Sequence, residues 1–378
     1  MLNFAHLMKL ASIVAILGLA AAADAQPTLS GGTGTIFLGG YSGHLTAIDE
    51  ATEKVVTQIP LKTGPPFVVR LSLDRSRFYV QSANQEHVEV VDVASRKSLD
   101  SFTLSDANRH VRAMAFDVDP DHHTLVMIAR TDTKRIDRWE IGPREFIQYD
   151  LNAHKVVREV PWQGETEPQY YMDMRFSPNG KLLYVFADEV LIFDAATLQQ
   201  VDSWNLSLPN EPGLGRFDPG ESDESADQPG SFTGLFTRPD PITKRRQLGI
   251  GKVNLSEKNM DFFELGPAPR AGSFSFAIGA DRARAYMLWR EIGNYQLWTV
   301  DMAAKRVLSR VPFNGRPRVA VRSSSNGKVV YLYEAGNTID LYAADGFKYM
   351  RTIRLDADMM YGTFYVLPSA TKPPATPR

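Results

Sequence analysis

Cysteine is absent from this sequence of 378 residues. The chain therefore cannot form a disulfide, a thiolate nucleophile, a cysteine-ligated metal site, an iron-sulfur cluster or a c-type haem bound through thioethers. If such a protein is exported, its stability has to come from a large core or from a closed topology.

An excess of either charge is also absent. The chain has 42 basic and 44 acidic residues, which gives a formal net charge of -2. A protein that binds nucleic acid or an anionic membrane through electrostatics needs a basic surface. The sequence therefore predicts no nucleic-acid or membrane-surface partner.

The amino terminus has the pattern of an export signal. Lys9 precedes an apolar run over residues 10–23, and Ala23-Asp24-Ala25 supplies the small residues of a cleavage site. The run is too short for a comfortable membrane span. We predict a signal peptide over residues 1–25, no membrane span after its removal, and a periplasmic or secreted protein. An uncleaved anchor is the alternative.

One sequence unit recurs along the whole chain. Residues 175–201 read RFSPNGKLLYVFADEVLIFDAATLQQV, which is a polar turn, two apolar stretches, an Asp and a small-residue turn. Residues 71–104 repeat this order, and copies also begin at Ile278 and Arg322. With three more divergent copies the count is seven. No window shows the sustained 3.6-residue period of a helical solenoid.

A marker residue ends the third strand of each copy. The markers are Asp49, Asp92, Asp150, Asp194, Asn254, Asp301 and Ala343. Their intervals of 43, 58, 44, 60, 47 and 42 residues are typical of a β-propeller. We predict an all-β, seven-bladed β-propeller with four-stranded antiparallel blades, in which each marker Asp accepts backbone hydrogen bonds from the turn that follows it.

The two ends of the chain predict how the ring closes. The first copy begins with its second strand at Thr35, and an unpaired strand remains at residues 359–368. We expect this C-terminal strand to be the innermost strand of the first blade. The propeller then spans residues 26–368, and the Pro-rich residues 369–378 form a disordered tail.

Two of the intervals contain insertions. In the third copy, residues 134–151 predict two strands around Gly142-Pro143 that lengthen the blade into a protruding hairpin. Residues 208–230 predict a solvated surface loop that is rich in carboxylates. Calcium binding by those carboxylates is the alternative, although their spacing is not that of a twelve-residue calcium loop. They are Asp218, Glu221, Asp223, Glu224 and Asp227.

Ligands of propellers usually bind where loops converge at an end of the central channel. The predicted channel-mouth residues are Arg109, His110, Arg112, Tyr170, Tyr171, Arg270, Arg316, Arg318 and Tyr361. A period of two would place Arg316, Arg318 and Arg322 on one strand face, where they could hold an anion. The alternative is that these arginines pair with acids of neighbouring blades. We predict no catalytic and no metal-binding residues.

The departures from regularity resemble a known family. The chain is similar to YVTN-type propellers, and more closely to the β subunit of quinohaemoprotein amine dehydrogenase. The likeness lies in the insertion RWEIGPREFIQYDL, the long linker after the fourth copy, the stretch TRPDPITKRRQLGIGKVNL and the following AGSFSFAIGADRARAYMLW. It covers nearly the whole mature chain.

That resemblance implies a propeller without a prosthetic group. Its partners would be a dihaem cytochrome subunit and a small quinone-bearing subunit, so that haem c and a tryptophylquinone belong to partner chains. The predicted function is an exported, non-catalytic binding or scaffold subunit. The alternative is a stand-alone propeller enzyme of lactonase type, which requires acid, His and Arg side chains with perturbed pKa values at one channel mouth.

Overall fold

A computed structural model describes residues 29–163, 173–187, 189–208 and 217–369. The predicted signal peptide and residues 370–378 of the predicted tail lie outside the described residues, so these boundaries stay predictions. Ser369, the first residue of the predicted tail, donates a hydrogen bond from its hydroxyl to the carbonyl oxygen of Thr33.

The described residues form 28 β-strands and one short 3-10 helix. The first three blades contain β1 (Thr35–Gly40), β2 (His44–Asp49), β3 (Lys54–Pro60), β4 (Pro66–Leu71), β5 (Arg77–Ser82), β6 (His87–Asp92), β7 (Lys97–Thr103), β8 (Arg109–Val118), β9 (Thr124–Lys134), β10 (Trp139–Asp150) and β11 (Lys155–Pro161). The fourth and fifth blades contain β12 (Asp173–Phe176), β13 (Leu182–Phe186), β14 (Val190–Asp194), β15 (Gln200–Trp204), β16 (Asp218–Ser222), the 3-10 helix Glu224–Ala226, β17 (Ser231–Pro239), β18 (Arg246–Asn254) and β19 (Asn259–Pro267). The remaining strands are β20 (Ser273–Ile278), β21 (Arg284–Glu291), β22 (Asn294–Asp301), β23 (Arg306–Phe313), β24 (Arg318–Ser323), β25 (Val329–Glu334), β26 (Thr338–Ala343), β27 (Tyr349–Arg354) and β28 (Met359–Leu367).

These strands pair into seven antiparallel sheets of four strands each, which confirms the predicted seven-bladed propeller. Six blades use consecutive strands, from β4–β7 to β24–β27, and the first blade has the order β28-β1-β2-β3. Among the described residues there is no helix long and apolar enough to cross a bilayer.

The second strand of each blade is apolar because both of its faces are covered by neighbouring blades. In β5, Phe78 and Val80 pack toward the first blade, whereas Tyr79 packs toward the third. This is the period of two expected of a strand that is covered on both faces. Seven apolar clusters of described residues follow this scheme, one at each blade-to-blade junction.

The predicted markers do end the third strand of every blade. Asp49 Oδ1 accepts hydrogen bonds from the amide and hydroxyl groups of Thr52, both at 2.8 Å. Asp301 Oδ1 likewise accepts from the amides of Ala303 at 3.0 Å and Ala304 at 2.8 Å. The residue four positions after each marker is left-handed, with φ values of 57°, 58°, 50°, 58°, 51°, 53° and 49° in chain order. An L-residue in this region costs about 1–2 kcal/mol, so the capping carboxylate stabilises a strained turn.

The ring closes as predicted, because β28 pairs with β1 from Thr35↔Leu367 to Gly40↔Met359. A buried carboxylate adds a second link between the first and seventh blades. Glu50 Oε1 accepts from the Tyr331 hydroxyl at 2.9 Å and from the Ser325 amide at 3.0 Å. Burial raises the pKa of Glu50, although these hydrogen bonds oppose the shift.

The predicted position of the hairpin turn in the third blade is wrong. The chain reverses at residues 135–138, between β9 and β10, and β10 continues through Gly142-Pro143 with a register shift between Ile141 and Arg144. Pro143 lacks an amide hydrogen, so a bulge accommodates this pair within the strand. The hairpin still extends the blade, because β9 and β10 have 11 and 12 residues.

The predicted surface loop at residues 208–230 is also corrected. Its residues 209–216 lie outside the described part, but residues 218–222 form β16, the innermost strand of the fifth blade. Ser231, directly after the predicted loop, opens the second strand of this blade, β17. Asp223 is buried and caps the 3-10 helix by accepting a hydrogen bond from the Ser225 amide.

Deletion of residues 359–378 should abolish soluble expression or lower the melting temperature by well over 10 °C, because it removes β28 and uncovers two apolar clusters. The matched control is deletion of residues 370–378, which leaves β28 intact. Differential scanning calorimetry of both variants measures the effect. Equal melting temperatures for the two deletions would contradict closure by β28.

Candidate functional site

The seven innermost strands surround a central channel. We call the face where these strands begin the upper face, and the face where they end the lower face. A cavity of about 670 Å³ occupies the channel between β4, β16, β20, β24 and β28. Its lining includes Phe67, Glu221, Phe274, Arg290, Arg322 and Tyr365.

An ion-pair network at the ends of the innermost strands forms the floor of this channel. Arg70 of β4 pairs with Asp173 of β12 and, at 2.8 Å, with Glu224 of the 3-10 helix. The Tyr365 hydroxyl of β28 is 3.0 Å from Glu224 Oε2 and donates to the Val69 carbonyl at 2.5 Å. Burial raises the pKa of Tyr365, which keeps the phenol protonated as a donor.

A second arginine extends the same network. Arg175 of β12 pairs with Asp173 at 3.1 Å and with Asp227 at 2.6 Å. Its guanidinium also lies 5.0 Å from the centre of the Phe232 ring. Asp223 Oδ2 accepts from the Ile278 amide at 3.0 Å and ties the 3-10 helix to the sixth blade. The acidic segment therefore packs into the lower end of the channel rather than standing in solvent.

The floor contains more carboxylates than arginines, and burial and pairing with arginine shift the pKa values of these acids in opposite directions. Burial acts to raise the pKa of Asp173, but Arg70 and Arg175 hold it at about 2. Burial raises the pKa of Asp227 to about 7, although Arg175 opposes this shift. It likewise raises the pKa of Asp117 to about 6, although Arg70 opposes the shift. The network therefore retains protons near neutral pH.

Three acidic residues line the cavity: Asp218, which lies 2.7 Å from Arg246, Glu224, which binds Arg70, and Glu221. Glu221 of β16 lies 4.0 Å from Arg290, whose own guanidinium donates to the Phe274 carbonyl at 2.9 Å. Burial of the site raises the pKa of Glu221, and Arg290 and Arg322 oppose the shift. Among the described residues no group of His, Asp and Glu side chains is placed to hold a metal ion.

The predicted channel-mouth residues do not converge on this cavity. His110 and Arg112 do come together, at 2.9 Å and 3.6 Å from Glu86 of the second blade, whereas Arg109 pairs with Glu159 at 3.6 Å. Arg270 and Arg316 are exposed before β20 and β24. Tyr170 and Tyr171 lie outside the described residues, as does the side chain of Tyr361. Ligand binding by this set stays a prediction.

Arg318 neither shares a strand face with Arg322 nor pairs with acids of a neighbouring blade. A register shift between Arg318 and Ala320 breaks the alternation, so Arg318 and Arg322 do not share one strand face. Arg318 is buried within its own blade, 3.2 Å from Glu334 and 3.6 Å from Asp340, and 4.5 Å from the Phe313 ring centre. Pairing with acids is thus correct for Arg318, but the acids belong to its own blade.

The sequence pattern points to Arg322 as a candidate anion-binding residue, but it does not predict Arg70 and Arg175 of the channel floor. Arg70, Arg175 and Arg322 each stand two residues before the Ser that starts the first turn of a blade. Asp117 occupies the same place before Asp119. Equivalent positions of neighbouring innermost strands meet around the axis, so alignment of the repeats at these serines would have found the cluster.

The third-blade hairpin is the second candidate site. Ile136 at its turn is fully exposed, and Ile141 and Trp139 expose 68% and 48% of their surface. The charges around them pair within the hairpin, where Arg135 and Arg138 both contact Glu140 at 2.7 Å and 3.0 Å. We call Ile136, Trp139 and Ile141 the hairpin tip.

The chain is similar to several solved structures at low sequence identity. A hydrazine synthase from Kuenenia stuttgartiensis shares 16% identity with a TM-score of 0.48, covering 88% of this chain and 95% of that one. A functionally unknown protein from Desulfotomaculum acetoxidans shares 12% identity with a TM-score of 0.49, covering 89% and 99%. Dihydro-heme d1 dehydrogenase NirN shares 14% identity with a TM-score of 0.49, covering 88% and 76%.

No family model and no curated protein matches the sequence. The fold rests on the strand pairing described above, and these structural likenesses carry no argument about fold or function.

Replacement of Asp117 by Asn should make the free energy of unfolding less dependent on pH. The wild-type carboxyl titrates at about 6 when folded and near 3.8 when unfolded, so its contribution to stability is full below pH 3.8 and is lost as the pH rises through 6. Asn keeps an oxygen for the Phe176 amide, which Asp117 now binds at 2.7 Å. Between about pH 4 and pH 7, the unfolding free energy of the wild type should therefore fall relative to that of the variant, by at most about 3 kcal/mol.

Urea unfolding across that pH range measures this difference. The surface variant Asp345→Asn controls for loss of a negative charge, since Asp345 is fully exposed. Parallel curves for Asp117→Asn and wild type at every pH would contradict the assignment.

Proposed function

We propose that this protein is a non-catalytic binding propeller that docks a partner protein through the hairpin tip. The main observation that supports this proposal is the cluster of three exposed large apolar side chains at the end of the longest hairpin among the described residues. Single exposed apolar residues are ordinary on a protein surface, but a group of them at a protrusion is typical of an interaction site.

The rest of the upper face supports this choice. Among the described residues Ile242, Ile292 and Tyr41 are also exposed, but each is the single large apolar residue of its turn, between β17 and β18, β21 and β22, and β1 and β2 respectively. At the hairpin tip, Ile136, Trp139 and Ile141 lie within six residues. The paired charges of Arg135, Arg138 and Glu140 flank them, as polar residues flank the apolar centre of many interfaces.

We further propose that the protein is exported and acts as the cofactor-free subunit of an amine-oxidising complex, as the family resemblance implies. The partners would be a dihaem cytochrome subunit and a small subunit with a tryptophylquinone. Those cofactors would carry the redox chemistry, because this chain has no cysteine for a thioether or a crosslinked quinone.

A lactonase-type enzyme is the second candidate, and Glu221 is the observation that favours it. This carboxylate lines the cavity with 57% of its side chain exposed, and the burial of its surroundings raises its pKa, as expected of a general acid or base. The other floor acids are engaged: Asp117 accepts the Phe176 amide and Asp227 binds Arg175. If the enzyme interpretation is right, the purified protein should hydrolyse lactones, and Glu221→Gln should lower kcat at least 100-fold.

Co-purification from the native host tests the docking proposal. Tagged wild-type protein should elute with haem absorbance, and the double variant Ile136→Ser, Ile141→Ser should elute without it. Loss of two buried aliphatic contacts is expected to weaken binding at least 100-fold.

Ile292→Ser is the matched control, because it removes an equally exposed isoleucine from another turn of the same face. It should co-purify like wild type. A colourless wild-type monomer, or amine oxidation by the purified chain alone with a dye acceptor, would contradict the proposal.

A further inference from the structure

The base of the hairpin carries charged side chains on the same sheet face as the hairpin tip. Cross-strand pairing places His110, Asp132 and Ile141 in one row. Two residues further along, Arg112, Arg130 and Arg144 form the next row on that face. Side chains in such rows are neighbours, and the two rows are about 7 Å apart.

The acids of this face lie behind its arginines. Asp132 and Glu86 expose only 8% and 9% of their side chains, whereas Arg112 and Arg130 expose 42% and 34%. Arg112 Nη1 lies 3.2 Å from Asp132 Oδ2, and Arg130 Nε lies 3.1 Å from Asp132 Oδ1. The surface that a partner would meet is therefore cationic, even though the pairs are nearly balanced in formal charge.

The buried acids also hold the guanidinium groups in position. One carboxylate binds both arginines, and Glu86 binds His110 at 2.9 Å and Arg112 at 3.6 Å. A fixed guanidinium presents two parallel donors that match a carboxylate, and less side-chain entropy is lost when it binds. Lys134, exposed on the same face, adds a further positive charge.

Apolar side chains adjoin these cations. The Trp139 ring lies 4.9 Å from the His110 ring, and Ile141 is the direct cross-strand neighbour of Asp132. Arginines beside an exposed Trp and Ile form a surface that is complementary to a segment with alternating acidic and aromatic or aliphatic side chains.

We propose that this face, formed by His110, Arg112, Arg130, Lys134, Trp139 and Ile141, binds an acidic, aromatic-containing peptide segment of the partner. The inference rests on the proposed function and names the chemistry of the partner. An anionic membrane is the competing source of negative charge, but a bilayer surface does not require guanidinium groups fixed by buried carboxylates.

Fluorescence anisotropy with synthetic twelve-residue peptides tests the proposal. The probe carries Asp, Glu and Trp in a Gly-Ser background, and its matched controls replace the acids by Asn and Gln, or Trp by Ala. The full-length protein should bind the acidic Trp peptide at least tenfold more tightly than either control. Binding should weaken as salt is raised, because partly exposed charges are screened.

The protein variants separate a binding role from a structural role. Arg130→Gln alone leaves Asp132 with one partner fewer, so the double variant Arg130→Gln, Asp132→Asn also removes the buried charge, and Arg112 keeps its contact with Glu86. This variant and Trp139→Ala should each lower peptide affinity at least fivefold while the melting temperature stays within a few degrees. Arg306→Gln, an exposed arginine of β23, should bind like wild type.

Two outcomes would overturn the inference. Peptide affinity that does not respond to the acids or to Arg130→Gln, Asp132→Asn excludes the charged face. Binding to phosphatidylglycerol vesicles that exceeds peptide binding and is lost in the same variants assigns the face to a membrane. If either occurs while Ile136→Ser, Ile141→Ser still abolishes co-purification, the inference fails and the docking proposal stands.

Discussion

Burial of both faces of every blade is the constraint on which this structure depends. A strand such as β5 directs Phe78 toward one neighbour and Tyr79 toward the other, so a single blade would leave both apolar faces in water. Only a closed ring covers all seven junctions. The pairing of β28 with β1 and the buried Glu50 at the same junction therefore stabilise the whole ring rather than one sheet.

The ring also decides where charges meet. Arg70 and Arg175 belong to different blades, yet both reach the lower end of the channel because they occupy equivalent places in innermost strands. The segment after β16 supplies the carboxylates that neutralise them, and the resulting network closes the channel below the cavity. Burial and an excess of acids keep protons in this network, so its ion pairs are coupled to pH.

The features that distinguish this propeller are its departures from the repeat. A regular blade uses its apolar side chains to cover its neighbours, whereas the lengthened β9 and β10 extend beyond the blade-to-blade junctions. Their terminal apolar side chains therefore remain largely exposed, although the Trp139 ring contacts that of His110. Insertions of this kind on a rigid scaffold are where binding function usually resides.

The sequence by itself determined the number of blades, the strand that closes the ring and the capped turns, because alternation and marker spacing are local properties of the chain. Only the tertiary structure decided that Asp218–Ser222 is a strand, since DPGES has no apolar alternation and is held by its pairing with β17. It also decided the positions of the charged side chains. Because of a bulge, the Arg318 side chain packs within its own blade. The ring arrangement places Arg70 beside Asp173, although the two are 103 residues apart in the sequence. Such contacts depend on distances through space, which the order of residues along the chain does not specify.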